Sequence, residues 1–95
     1  MTIQDKLYLE VKKLAPDYGI KFLGMFGSQV RGEARGDSDL DLLVEFSKKM
    51  SLLDLVRLEE KLTEKLGRKV DLHTPKSISR YMMPGVKRDL VRIYG

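Results

Sequence analysis

Cysteine is absent from this 95-residue sequence, and histidine occurs only once, at position 73. The lack of cysteine excludes a disulfide framework and every metal site built from thiolates, and one histidine cannot form a histidine-rich zinc centre. Any metal site in this protein is therefore expected to use oxygen ligands.

Long apolar runs are also missing. No stretch approaches the roughly 20 apolar residues that a bilayer-spanning helix needs, and the segment from Met1 to Asp5 lacks the basic and apolar regions of a signal peptide. We therefore expect a cytoplasmic protein that does not engage a membrane.

Two common catalytic motifs are absent as well. The sequence has no Gly-x-x-x-x-Gly-Lys-Ser/Thr loop, which disfavours a P-loop ATPase. No serine stands beside a histidine or cysteine in a nucleophile-elbow context, which disfavours acyl transfer.

Length and charge set further limits. The chain is expected to form one domain, residues 1–95, of a size that buries about 60 to 65% of its unfolded surface. The 18 lysines and arginines exceed the 14 aspartates and glutamates and give a net charge of +4. The basic residues are spread along the chain without interleaved aromatics, so direct nucleic-acid binding is not expected.

Hydrophobic spacing predicts an alternation of helices and short strands. The leucines of the second long helix, Leu52, Leu55, Leu58, Leu62 and Leu66, repeat at helical spacing and are expected in the core. In order, the predicted elements are helix 2–15, ended by Pro16 and Gly19, strand 20–26, a short helix 28–34, strand 40–46, helix 51–66, strand 68–74, helix 77–81, a break at Pro84 and Gly85, a short helix from Val86 and an extended segment 90–94.

The spacing of Asp39 and Asp41 is the sharpest chemical signal. Side chains alternate along a strand, so both carboxylates are expected on one face while Leu40 and Leu42 point to the other. Two unpaired like charges this close are unfavourable. A divalent cation resolves the conflict, and magnesium prefers carboxylates together with substrate phosphates.

Gly27 and Ser28 follow the first strand and begin a short helical segment. Such a turn points backbone N–H groups at the end of the strand, which is a common anion site in α/β proteins. A phosphate site next to a metal site is the arrangement needed to bind a nucleoside triphosphate.

Together these residues resemble a known signature. The stretch reads Gly27-Ser28-x-x-Arg31-Gly32, a short spacer, then Ser38-Asp39-x-Asp41-Leu42. It is similar to the motif of DNA-polymerase-β-type nucleotidyltransferases and, more narrowly, of the minimal nucleotidyltransferases that pair with HEPN-domain toxins in bacteria and archaea. The resemblance implies an α/β (α+β) fold in which helices back a small mixed sheet.

Asp71 is a candidate third carboxylate. In the strand 68–74, Val70 and Leu72 are expected in the core, whereas Lys69, Asp71 and His73 face the other way. In the resembled superfamily a third aspartate on a later strand joins the first two. The alternatives for Asp71 are a solvated edge residue and an ion pair with Lys69 or Arg68.

The resemblance also implies a reaction and its participants. The protein is expected to move AMP from ATP to an acceptor hydroxyl, which implies a tyrosine of a HEPN toxin and an antitoxin role. The implied catalytic residues and ligands of two Mg²⁺ ions are Asp39, Asp41 and Asp71, and the implied phosphate-binding residues are Gly27, Ser28 and Arg31.

Several alternatives stay open at this point. Arg31 could instead pair with Glu33 or Asp37. His73 is a candidate at the pocket rim, although a lone histidine after a strand is more often incidental. Tyr81 and Tyr94 are expected to be packing residues rather than base-stacking platforms. The chain could neutralise its partner by contact alone, or it could be the catalytic subunit of a nucleotidyltransferase for small molecules or RNA. The sequence leaves a homo-oligomer open.

Overall fold

One four-stranded sheet with helices packed on it makes up the described part of the chain, residues 1–32 and 39–95 of the computed structural model. The predicted α/β class, a small mixed sheet backed by helices, is confirmed. The elements are α1 Ile3–Tyr18, β1 Ile20–Phe26, α2 Ser28–Arg31, β2 Leu40–Phe46, α3 Leu52–Leu66, β3 Val70–His73, a 3₁₀ turn Pro75–Ser77, α4 Met83–Asp89 and β4 Val91–Tyr94. Among the described residues, no helix is long and apolar enough to span a membrane.

The strand order β3-β2-β1-β4 places β2 and β1 in the middle of the sheet. β1 runs antiparallel to both β2 and β4, and β2 runs parallel to β3. In this register Asp41 lies opposite Phe26 on one side and opposite Asp71 on the other. Residues from three strands therefore lie side by side at the start of β2.

The two faces of the sheet bury separate apolar clusters. One cluster joins α1 and α3 to the sheet and includes Leu7, Val11, Leu23, Met25, Leu40, Leu42, Val44, Leu58, Leu62, Val70 and Leu72. The second, smaller cluster contains Phe26, Leu43 and Val86, so it joins α4 to the opposite face. As predicted, alternate residues of β2 divide between these faces.

The exposed edge of β3 is covered by side chains of α3. The backbone N–H of Val70 donates to Thr63 Oγ1 at 3.0 Å, and that of Leu72 donates to Glu59 Oε2 at 2.8 Å. Unpaired strand edges otherwise present donors to solvent or to other chains. These two bonds hold β3, and with it Asp71, in position.

Both long helices begin where the sequence predicted, and each begins with a capping box. Thr2 with Asp5 and Ser51 with Asp54 each form a capping box. The prediction that Pro16 ends α1 was wrong, because the helix continues to Tyr18. A proline so near the C-terminus removes only one late backbone hydrogen bond, and Gly19, with a φ of 65°, ends the helix instead.

Two apolar side chains do not lie where simple periodicity would place them. Ile20 packs in the α1/α3 cluster rather than on the face of Phe22, because a register irregularity between Ile20 and Phe22 inserts one extra residue and reverses the alternation. Leu52 is 77% exposed, although it continues the leucine stripe. It is the first residue of α3, before the part of that helix that contacts the sheet.

The region after β3 was predicted least well. No helix starts at Ser77; a 3₁₀ turn ends there, and α4 begins at Met83. Pro84 was expected to break the chain, but it occupies the first turn of α4, where a backbone N–H has no helical partner. β3 is shorter than predicted, and α2 ends at Gly32, whose φ is 74°. Ala34, in the predicted helix, lies outside the described residues.

Truncating a buried leucine of α3 should destabilise the protein much more than truncating an exposed one. Leu58→Ala is expected to lower the free energy of unfolding by about 2 to 5 kcal/mol, because this side chain is 0% exposed. Leu52→Ala is the matched control on the same helix and should change it by less than about 0.5 kcal/mol. Urea unfolding followed by circular dichroism measures both, and equal losses would contradict the assignment of the buried face.

Candidate active site

Three polar side chains from β2 and β3 meet on the face of the sheet that carries α4. Asp41 and Asp71 are register partners, and His73 lies two residues further along β3. His73 Nε2 is 3.3 Å from Asp71 Oδ2 and 3.8 Å from Asp41 Oδ1. One ligand atom from each residue lies within 4.8 Å of the others. As the sequence predicted, β3 places Asp71 beside Asp41.

Asp39 lies at the edge of this group rather than inside it. It precedes β2, and its carboxylate oxygen is 3.9 Å from Lys69 Nζ. Lys69 therefore contacts Asp39, and the alternative in which it pairs with Asp71 is not what the structure shows. The charge of Asp39 nevertheless contributes to raising the pKa of Asp41, so the two carboxylates interact across the site.

The surroundings of Asp41 disfavour its ionised form. Burial raises the pKa of Asp41, and the negative charges of Asp71 and Asp39 raise it further. The neighbouring His73 acts in the opposite direction and lowers the pKa of Asp41, but it does not outweigh burial and repulsion. Ionised Asp41 is thus unfavourable here until a cation or another partner compensates it.

His73, for which the sequence indicated only a candidate position at the pocket rim, belongs to this group more closely than expected. Its ring lies against Phe26 at a centroid distance of 5.5 Å, and its imidazole contacts both carboxylates. The signal was available, since the two-residue period that places Asp71 on this face also places His73 there. The group therefore offers one nitrogen donor beside the carboxylate oxygens, and such a donor set fits a divalent cation.

Gly27 makes room for Asp41. A β-carbon at Gly27 would stand 2.6 Å from Asp41 Oδ2, and the backbone there has φ 84° and ψ −155°, which disfavours any side chain. The turn at Gly27 was predicted as a phosphate site, where a glycine would let phosphates approach the backbone. The structure supplies a different reason, which is the close approach of Asp41. A valine at this position would therefore strain the fold itself.

The turn after Gly27 is closed by two backbone hydrogen bonds that the Gly27 carbonyl accepts. The amides of Val30 and Arg31 donate to Gly27 O at 3.1 and 3.2 Å. Arg31 Nη1 also donates to Asp89 Oδ2 at 2.6 Å, and this hydrogen bond lowers the pKa of Asp89. Arg31 thus links α2 to the end of α4. Glu33 and Asp37, the alternative partners, lie outside the described residues.

Two adjoining cavities open over these residues. The first has a volume of about 410 Å³ and is lined by Gly27, Ser28, Arg31, Asp41 and Tyr81 among others. The second, of about 290 Å³, is lined by Asp41, Asp71, His73 and Ser77 among others. Asp41 borders both cavities. Two reactants could therefore approach this carboxylate from different sides.

Tyr81 and Tyr94 differ in burial, which the sequence did not predict. Tyr94 is partly buried against the main core, as expected of a packing residue. Tyr81 is 82% exposed and lines the first cavity, so the expectation that it packs was wrong. It lies between the 3₁₀ turn and α4, where the predicted helix does not form.

Comparison with known proteins identifies relatives that span nearly the whole chain. The profile of a family described as Nucleotidyltransferase domain matches residues 5–93. The protein adenylyltransferase MntA of Thermococcus cleftensis is 41% identical over 91 residues, which make up 96% of this chain and 92% of that protein.

Solved structures agree on the fold. A protein provisionally named a minimal nucleotidyltransferase is 35% identical, with a TM-score of 0.79 over 96% of this chain and 95% of the other. A chain from the complex of tri-AMPylated Shewanella oneidensis HEPN toxin with MNT antitoxin has a TM-score of 0.72, at 22% identity, over 97% of this chain and 72% of that one. At this lower identity the likeness shows the fold alone.

Removing the charge of Asp41 should stabilise the metal-free protein. Because folding raises the pKa of Asp41 above its usual 3.8, the ionised carboxylate destabilises the fold at pH 7, and this cost fades as the pH falls towards 3.8. Asp41→Asn is therefore expected to raise the urea midpoint in EDTA at pH 7, with a smaller gain at pH 4.

Asp17→Asn, at an exposed position on α1, is the control and should leave the midpoint nearly unchanged at both pH values. A lower midpoint for Asp41→Asn than for the wild type at pH 7 would contradict this account of the site.

Proposed function

The chain belongs to the nucleotidyltransferase domain family, as its motif predicted, and from this premise we propose that it transfers AMP from ATP to a hydroxyl group of another protein. The acceptor is a tyrosine of a HEPN-domain toxin, and the chain acts in the cytoplasm as the antitoxin of the pair. The observation that carries the proposal is the register pairing of Asp41 with Asp71 where two cavities adjoin, beside the turn that begins at Gly27.

Each part of the site has a role in this proposal. Asp39, Asp41 and Asp71 would hold two magnesium ions, and these ions would neutralise charge on the triphosphate and the leaving pyrophosphate. Gly27 and Ser28 border the phosphates in the first cavity. Arg31, held by Asp89, stands at the same cavity wall and adds positive charge there.

The reaction forms one bond and breaks another at the α-phosphorus. The acceptor oxygen attacks, the bond from the α-phosphorus to the bridging oxygen of the β-phosphate breaks, pyrophosphate leaves, and the hydroxyl proton passes to solvent. Asp71 lines the second cavity but not the first. It is therefore placed to orient the acceptor oxygen, while Asp41 borders both reactants. Positioning and charge neutralisation supply the catalysis.

The proposed acceptor follows from size and from the relatives. The second cavity, of about 290 Å³, is at the small end of the range for ligand sites, so it suits a single side chain presented by another protein. A relative at 41% identity is named a protein adenylyltransferase, and a fold neighbour is solved with an AMPylated HEPN toxin. A protein hydroxyl is accordingly favoured over a small molecule or RNA.

Loss of Asp71 should stop the chemistry and spare the fold. With α-labelled ATP, Mg²⁺ and the purified HEPN partner, the wild type should label the partner, and mass spectrometry should locate the added mass of AMP on a tyrosine. Asp71→Asn is expected to reduce labelling by at least about 100-fold, whereas Asp17→Asn should label normally. Thermal unfolding checks that both variants remain folded.

The same experiment decides between the competing functions. If the wild type suppresses the toxin while leaving it unlabelled, the chain neutralises by contact alone. If label appears on RNA or a small molecule instead, the protein acceptor is wrong.

Metal binding should depend on nucleotide. Three carboxylates carry a charge of −3 against +4 from two magnesium ions, so the second ion should bind weakly until phosphates add negative charge. Calorimetry should therefore show tighter and more extensive Mg²⁺ binding with a non-hydrolysable ATP analogue than without it. Unchanged binding in the Asp39→Asn, Asp41→Asn double variant would exclude these ligands.

A further inference from the structure

An exposed aromatic side chain stands in the first cavity without a part in the chemistry described above. Tyr81 is 82% exposed and Met82 is 63% exposed, although both are large side chains with apolar surface. Both line the cavity of about 410 Å³ that also contains Gly27 and Ser28. Single exposed apolar residues are common on protein surfaces. Two consecutive ones inside a candidate nucleotide site are more informative.

The division of this cavity indicates what Tyr81 would contact. Gly27, Ser28, Arg31 and Asp41 form its polar part, where phosphates and cations belong. A bound nucleotide whose phosphates lie there must place its base elsewhere in the same cavity. The rest of the lining consists of Phe26, Tyr81, Met82, Gly85, Val86, Arg88 and Asp89. Two of these side chains are aromatic, but Phe26 is only 8% exposed and belongs to a core cluster, whereas Tyr81 is 82% exposed.

Arg80 holds the Tyr81 ring in a defined orientation. Its guanidinium carbon lies 5.2 Å from the ring centroid, and Arg80 Nη2 donates to the Tyr81 hydroxyl at 3.3 Å. A cation over one face of an aromatic ring is a favourable arrangement. Because Arg80 covers one face of the ring, a planar ligand would stack on the opposite face.

We propose that Tyr81 is the nucleobase platform of this site, on which the base of the bound nucleoside triphosphate stacks. The inference rests on the proposed nucleotide-transfer function and adds the recognition of the base to it. Stacking accepts any base, because every base presents a π face, and it favours the larger purine rings over pyrimidines. Tyr81 thus adds affinity for the nucleoside beyond what the phosphates supply.

The test compares a ligand that has a base with one that has none. Calorimetry in Mg²⁺ measures the Kd of a non-hydrolysable ATP analogue and of inorganic tripolyphosphate for the wild type and for Tyr81→Ala. We expect Tyr81→Ala to weaken the analogue by about 5- to 150-fold, the range typical of base stacking on an aromatic side chain. Tripolyphosphate should bind both proteins equally.

Two further variants serve as controls. Tyr81→Phe keeps the ring and should bind the analogue within about threefold of the wild type, since the π face remains. Tyr8→Ala removes a 42% exposed tyrosine from α1, which does not line the cavity, and should leave both ligands unaffected. Thermal unfolding of each variant checks that the fold is intact.

The binding measurements distinguish a wrong assignment of Tyr81 from a wrong nucleotide site. If the wild type binds neither ligand, the nucleotide site itself is wrong and the platform is overturned with it. If both ligands bind the wild type and Tyr81→Ala retains full affinity for the analogue, only the platform is overturned. Equal weakening of both ligands would also overturn it, because Tyr81 would then act on the structure of the phosphate site. Loss of toxin binding with unchanged nucleotide affinity would assign Tyr81 to the partner interface instead.

Discussion

The alternation of side chains along β2 is the constraint on which the site depends. Leu40, Leu42 and Val44 are fully buried between the sheet and the helices α1 and α3. Because a strand has a period of two, this burial forces Asp41 onto the opposite face. A slip of one residue would bury the carboxylate in an apolar core and expose three large side chains. Packing of the hydrophobic core therefore decides on which face of the sheet the Asp41 carboxylate lies.

Neighbouring elements then complete the site around Asp41. The parallel register with β3 brings Asp71 and His73 beside it, and hydrogen bonds from the β3 backbone to Thr63 and Glu59 keep that edge strand in place. Gly27, directly after β1, leaves space for the Asp41 carboxylate. The raised pKa of Asp41 shows that this grouping costs stability. Active sites commonly accept such a cost.

Helix α4 connects the parts of the site that lie far apart in the sequence. Val86 packs on Phe26 and Leu43 beneath the cavities, while Asp89 holds Arg31. Residues at and just before the start of α4 supply the exposed end of the first cavity. This short helix thus positions Arg31 at the predicted phosphate site through Asp89, and Tyr81, which we assign to the base, lies just before its first residue. A change in its packing would alter both together.

The sequence by itself determined the features that depend on residues close together in the chain. Capping boxes, glycine caps, strand alternation and the Gly-Ser to Asp-x-Asp motif all lie within short segments, and they predicted the fold class and the placement of Asp41 and Asp71. Only the tertiary structure decided the partners that come from distant segments: Arg31 with Asp89, 58 residues apart, and His73 with Asp41. It also decided that Tyr81 is exposed in a cavity, because burial depends on which surfaces meet, and that is set by packing of the whole chain rather than by local pattern.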